Sequence, residues 1–252
     1  MATLSHHEPV YPVRNVPLTR PFVWLASGWD DLLHHRAASI AYGLIVTALG
    51  ILILGYERHP VYVATAMAGF MLIGPIMAAG LCELSRCRDL NEVSDFDSSL
   101  KALRRNHDSL INLASTLLVI GVVWFAVSYV VIQAALGTAA PSLEQTVWGD
   151  VMRHLSSAQI MAYFTCAGLL AVVVFALSVV AVPMIVERHV NARTAMSTSV
   201  RVAMKDFPAM LVWAALIVAL VAIAFVTAMV AMVVIYPLLG HATWYAYRDL
   251  VT

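Results

Sequence analysis

Nine histidines, three cysteines and twelve methionines are the side chains in this chain of 252 residues that could serve metal or redox chemistry. Their spacing decides what they could do. A haem inside a helical bundle needs histidines that face each other within the helices. Here His34, His35, His59, His107, His154, His189 and His241 fall at or beyond the ends of the long apolar segments, and His6 and His7 lie in the N-terminal stretch. No haem between helices is expected. A metal at the membrane boundary would have to draw on His34 or His35 with His107 and His189. Copper handling by methionine requires clustered Met, or Met with Cys and His. Met67, Met71 and Met77, and Met229 and Met232, are spread at helical intervals instead, as gap-filling side chains are. Cys82, Cys87 and Cys166 make no disulfide framework. No cofactor, no metal site and no catalytic residue is assigned.

Ionisable side chains placed within a membrane segment are costly and kept for use. The central parts of the apolar segments hold none. Two acids stand at comparable points near segment ends: Glu83 follows Pro75 and lies by Arg86, and Glu187 follows Pro183 and lies by Arg188. They read either as two acidic groups at one mouth of a bundle or as local ion pairs. With His34 and His35 they are the candidate interfacial polar residues. Small residues form the other candidate set. Gly69, Gly74 and Gly80 let backbones approach closely, and Pro75, Pro183 and Pro237 should kink their helices.

The elements that must hold these residues follow from composition. The chain is 61% hydrophobic and 12% charged, against about 45–50% and about 25% for soluble domains. The excess apolar surface must face lipid. Fifteen basic and fifteen acidic residues cancel, which gives no reason to expect nucleic acid as a partner. A span needs about 20 apolar helical residues, and five segments qualify: 37–56, 61–84, 110–136, 160–186 and 208–236. The expected fold is an all-α polytopic transmembrane bundle of about five spans, as one domain over 23–252. An extended or disordered cytoplasmic tail, 1–22, precedes it, where Pro9, Pro12, Pro17 and Pro21 block helix.

Basic residues alternate between connections. Arg14, Arg20 and Arg36 precede the first span; Arg86, Arg88, Lys101, Arg104 and Arg105 follow the second; Arg188, Arg193, Arg201 and Lys205 follow the fourth. The other connections carry one each, Arg58, Arg153 and Arg248. Lys and Arg concentrate on the cytoplasmic side, so the N-terminus is expected inside and, with five spans, the C-terminus outside. The basic connections read as amphipathic interfacial helices. Val93, Phe96, Leu100 and Leu103 form one stripe, with a capping box starting at Ser94, and Met196, Val200, Ala203 and Phe207 form another. Trp24, Trp29, Leu32 and Leu33 suggest a third before the first span.

Two echoes run through the chain. Pro75 leads to Ser99-Leu100-Lys101, and Pro183 to Ser199-Val200-Arg201. Pro75 also leads to Arg88-Asp89-Leu90, and Pro237 to Arg248-Asp249-Leu250. The second echo would place the C-terminus inside and require residues 208–250 to cross twice. No Gly, Pro or polar hinge interrupts Ala209 to Tyr236, so one long span, a kink at Pro237 and an interfacial tail are expected.

Gly28-Trp29-Asp30-Asp31, the Gly74-to-Leu81 end of span two and Pro237-to-Trp244 resemble a bacterial family, the integral membrane proteins grouped as domain of unknown function 2189. The resemblance covers roughly residues 20–250. It implies a bacterial inner-membrane location and no established activity. Some relatives carry a cytochrome oxidase subunit label, but the mid-span histidines of such a subunit are missing here. The expected role is a non-catalytic accessory, assembly or scaffold component that binds the lipid bilayer and other membrane proteins or a second copy of itself. The alternative is a small-solute transporter with a cavity near kinked spans two and four. A membrane enzyme ranks behind both, because His, Asp and Glu are scattered along the chain.

Overall fold

Backbone amides in hydrocarbon must find partners within the protein, and a helix supplies them from its own segment. The computed structural model describes residues 11–55, 60–136 and 156–252, and these are helical nearly throughout. In chain order the helices are α1 (Arg20–His34), α2 (Arg36–Gly55), α3 (Pro60–Asp89), α4 (Phe96–Arg105), α5 (His107–Leu136), α6 (Ser157–Ser178), α7 (Ala181–Arg188), α8 (Ala192–Lys205), α9 (Phe207–Val226) and α10 (Met232–Leu250). Among the described residues three stretches are long and apolar enough to cross a membrane: His107–Trp124, Thr165–Arg188 and Phe207–Val226. The pair α1 and α2, bent by 106°, makes a fourth candidate. The protein is an all-α membrane protein.

The short helices start where local chemistry allows. Pro21 occupies the first turn of α1, where its missing N–H is not needed. The Asp95 carboxylate accepts from the Ser98 amide while the Ser98 hydroxyl accepts from the Asp95 amide, a capping box one residue beyond the expected Ser94. The Asn191 side chain caps α8 through the Thr194 amide.

One order occurs three times: a short charged helix, a long helix out, a helix back. The units are α1–α2–α3, α4–α5–α6/α7 and α8–α9–α10. Each short helix packs against the returning helix of the unit before it, α4 on α3 and α8 on α6 and α7, and α1 closes the ring against α10. The three returning helices α3, α7 and α10 meet one another at the centre. The weak echoes in the sequence are two views of this arrangement. Asp89 accepts the indole N–H of Trp244 at 2.8 Å, and its counterpart Asp249 accepts that of Trp24 at 2.6 Å.

This path corrects the expected last span. The helix thought to cover 208–236 ends at Val226, turns back, and resumes as α10, which carries Pro237 inside it rather than a kink into an interfacial tail. The turn uses no glycine. Ala228 and Met229 take left-handed backbone at φ 48° and 68°. The Thr227 hydroxyl replaces a hinge residue, donating to the Ile223 carbonyl and accepting from the Ala231 amide. Residues 12–14 and 250–252 therefore lie together: Val13 bridges Val251, and the Arg14 amide donates to the Leu250 carbonyl. The expectation that the termini lie on opposite sides is overturned by this pairing. The stretch 11–17 is non-helical and tied down by this pairing, a turn follows at 18–19, and α1 begins at Arg20, inside the expected tail, because Pro21 sits in its first turn.

The expected fourth span is also broken, at Val179–Val180 between α6 and α7. In α7 every residue from Ala181 to Val186 is buried. The Glu57-to-His59 connection and Arg153 lie outside the described residues.

Candidate functional site

Buried polar groups among the described residues gather where α3, α7 and α10 end. Two arrangements stand side by side there, one closed and one open.

The closed arrangement centres on His241, in α10 and fully buried. Its Nε2 lies 2.9 Å from the Ser39 hydroxyl of α2 and its Nδ1 lies 2.8 Å from the Ser85 hydroxyl of α3. In either neutral tautomer one ring nitrogen donates and the other accepts, so both serines are satisfied. Asp31, at the end of α1, is fully buried with its Oδ2 3.9 Å from His241 Nδ1. Its Oδ1 accepts from the Tyr245 hydroxyl at 2.9 Å and from the Arg88 guanidinium. Asp31 Oδ2 and His35 Nε2 are buried without a hydrogen-bond partner. Burial lowers the pKa of the His35 imidazole, the neighbouring His34 and Arg88 push the same way, and Asp31 opposes them.

The open arrangement is a cleft of about 150 Å³ lined by Arg86, Asp89, Leu90, Arg105, Glu187, His189, Trp244 and Arg248. It takes residues from the ends of α3, α4, α7 and α10. Glu83 accepts from Arg86 at 2.7 and 3.0 Å and from Arg105 at 2.7 Å. Glu187 accepts from Arg248 at 2.6 Å and from the Tyr247 hydroxyl, with Arg188 3.6 Å away. His189 holds left-handed backbone at φ 53° just past α7, and its Nδ1 lies 2.8 Å from Asn106 Oδ1. Cations in the last turn of a helix offset the negative end of its dipole. Arg86, Arg105, Arg188 and Arg248 all stand in such turns.

The two acid–arginine pairs read from the sequence thus meet at one opening, and each is also an ion pair with its neighbour. His34 is exposed and stacks edge-on against His35, 4.7 Å between centroids. His107 pairs with Asp108 and His189 with Asn106, so the boundary histidines have separate partners. Among the described residues no three His, Cys, Asp or Glu side chains are grouped to hold a metal. Gly80 faces the Tyr42 ring of α2 so closely that a Cβ would lie 2.0 Å from its hydroxyl oxygen. The Gly74 carbonyl beside Pro75 accepts from the Tyr236 hydroxyl at 2.9 Å. Pro183 and Pro237 are buried within α7 and α10. Gly69 falls where α3 is described by its backbone alone.

Sequence reasoning missed His241 and Asp31. The stop at Tyr236 left His241 beyond a helix end, whereas α10 puts it well inside a helix. The apparent scatter of His, Asp and Glu is in part corrected: Asp31 and His35, one helical turn apart, lie beside His241, far along the chain. The Arg-Asp-Leu echo was the signal that could have found them, since it calls for α10 to run back beside α1 and α3.

An all-α bundle with long lipid-facing helices and one polar end is the architecture of an integral membrane protein. The chain belongs to the family described as "Predicted integral membrane protein (DUF2189)", which matches residues 62–187, half of its length. That stretch runs from α3 into α7 and contains Glu83, Arg86 and Glu187, stopping one residue short of Arg188. No curated protein and no solved structure matches the chain.

Proposed function

We propose that this protein is a non-catalytic accessory, assembly or scaffold component of a bacterial inner membrane, binding other membrane proteins or lipids through its polar end. One observation carries the reading. The centre of the bundle, where a translocation path would run, is filled by packed side chains. Ala181 to Val186 of α7 are buried along the whole stretch in one apolar cluster with Ala79 and Cys82 of α3 and Ala242 of α10, and the buried polar groups beside it, Glu83 and His241, are taken up by partners within the protein. Interiors packed in this way leave no room for a hydrated solute. Pro183, which a transporter reading would place beside a cavity, lies inside that packing.

Orientation follows from charge. Arg248 was one of three basic residues, with Arg58 and Arg153, at odds with a single-sided distribution, and the return of α10 brings it to the same end as Arg86, Arg105 and Arg188. Basic residues favour the cytoplasmic side, which supports both termini inside.

The test is paired. The full chain purified in mild detergent should retain a membrane partner, or a second copy, in fixed stoichiometry. The same preparation in proteoliposomes should pass solutes no faster than empty liposomes. Protein-dependent flux abolished by Pro75→Ala would establish the transporter instead.

A further inference from the structure

We propose that the cleft at the ends of α3, α4, α7 and α10 binds a phosphate group through Arg105 and Arg248, an assignment that rests on the polar end being the binding face. The arrangement is layered. Glu83 is 5% exposed beneath Arg105 at 50%, and Glu187 is 24% exposed beneath Arg248 at 50%. The carboxylates lie deeper and the guanidinium groups lie toward the opening.

Each outer arginine spends little of its donor capacity on the acid that anchors it. Arg105 donates from one terminal nitrogen to Glu83 at 2.7 Å, and Arg248 from one to Glu187 at 2.6 Å, with its Nε 3.9 Å from Asp89, beyond hydrogen-bond reach. A guanidinium carries five N–H donors in a planar fork that matches two oxygens of a phosphate. Arg86, set deeper, is spent on Glu83 and Glu92. Offsetting helix dipoles explains why arginines occupy these last turns. It does not explain why two of them share one opening with N–H groups to spare.

Size narrows the ligand. Sites for drug-sized molecules and cofactors measure about 300–1,000 Å³, and this cleft holds about 150 Å³. A phosphate head fits and a nucleotide does not. Phosphate could reach it as the free ion or as a lipid headgroup, with Leu90, 55% exposed, at the rim.

The experiment uses the full chain in detergent, with thermal unfolding followed in sodium phosphate and in sodium chloride at equal ionic strength. Native mass spectrometry of the same preparation reads retained phospholipid. A melting temperature raised by phosphate over chloride identifies the free ion, and phospholipid retained one to one identifies the headgroup. Either effect should weaken at least tenfold in the Arg105→Gln/Arg248→Gln variant. Arg105→Lys keeps the charge and the Glu83 pair but loses the fork; it should weaken binding several-fold and leave the melting temperature in chloride unchanged. The proposal is overturned if phosphate acts no differently from chloride and no phospholipid is retained, or if either response survives in both variants. Absence of any phosphate response in the unsubstituted chain, with a membrane partner still co-purifying, overturns this assignment alone. Solute flux by a phosphate-binding chain overturns the scaffold reading alone.

Discussion

The two ends of the bundle are held by different physics. At one end α1, α2, α3 and α10 are registered by directional contacts: Asp31 to Tyr245 and Arg88, His241 to Ser39 and Ser85, Asp249 to Trp24 and Arg20. At the other, Val46, Ala224, Met229, Met232 and Ile235 form an apolar cluster around the turn between α9 and α10. The polar end specifies which groups meet, because each buried donor or acceptor is costly without its partner. The apolar end specifies only shape. Between helices in lipid, shape means how closely backbones approach. A function that discriminates among ligands belongs at the first end.

The sharpest break of this contrast is Asp31→Ala. It takes the fully buried carboxylate away and leaves Arg88, 35% exposed, and the half-buried Tyr245 hydroxyl without their shared acceptor. Leaving a donor unpaired in this way costs about 1–3 kcal/mol, less at the part-exposed Arg88, and the two together make the largest loss expected here. Thermal unfolding in detergent should show it. An unchanged melting temperature would mean that the polar network does not register the helices.

Toward the apolar end the corresponding change is steric. A Cβ on Gly43 of α2 would lie 2.0 Å from the Val233 carbonyl oxygen of α10. That neighbour is backbone and no rotamer change can relieve it. Gly43→Ala should cost about 1–3 kcal/mol, the usual range for overpacking. Gly74→Ala is the control. No atom lies within 4 Å of its added methyl, and alanine in a helix gains about 0.5–1 kcal/mol over glycine. Equal effects of the two substitutions, read by thermal unfolding, would refute the close-packing account.

The same contrast explains what could be read from the sequence. The long helices α2, α3 and α5 were legible, because unbroken apolar runs in lipid leave the backbone one solution, whereas the break at Val179–Val180 within the fourth run was not. The interfacial helices were legible because Phe96, Leu100 and Leu103 recur at helical spacing among charges. Glu83 with Arg86 and Glu187 with Arg188 were legible as pairs, but their meeting at one mouth stayed one of two readings, since it depends on α10 returning between them. The return was hidden because its turn is made from Thr227, Ala228 and Met229, none of which is a usual turn residue in an apolar run. A left-handed alanine is affordable only where the packing on both sides insists on reversal.

Ala228→Gly tests that reading with the opposite sign. Left-handed backbone costs an L residue roughly 1–2 kcal/mol and glycine almost nothing. Glycine's greater freedom in the unfolded chain offsets part of the gain. A net stabilisation of about 0.5–1 kcal/mol is expected. Destabilisation would mean that residues 227–231 do not form the turn. A cysteine at position 249 in the cell should then be labelled from the same side as one at position 14, since the two ends pair.

The smallest expected effect is a pH dependence confined to the polar end. Burial holds the His35 imidazole toward its neutral form, with His34 and Arg88 adding to this and Asp31 opposing it. The folded-state pKa is therefore below that of the unfolded chain. As pH falls from neutral through the ordinary imidazole range, near 6.5, the unfolded chain takes up a proton that the folded chain does not. Stability contributed by this group falls in that window and levels off once the pH is below the folded-state value. Other histidines titrate in the same range, so the informative quantity is the difference between the natural chain and His35→Gln. Glutamine at that position should flatten the decline in melting temperature between neutral and mildly acidic pH. Parallel curves would show that His35 is solvated in the folded protein and that its unpartnered Nε2 is reached by water. Gly43→Ala, at the apolar side of the comparison, should shift the whole curve without changing its shape.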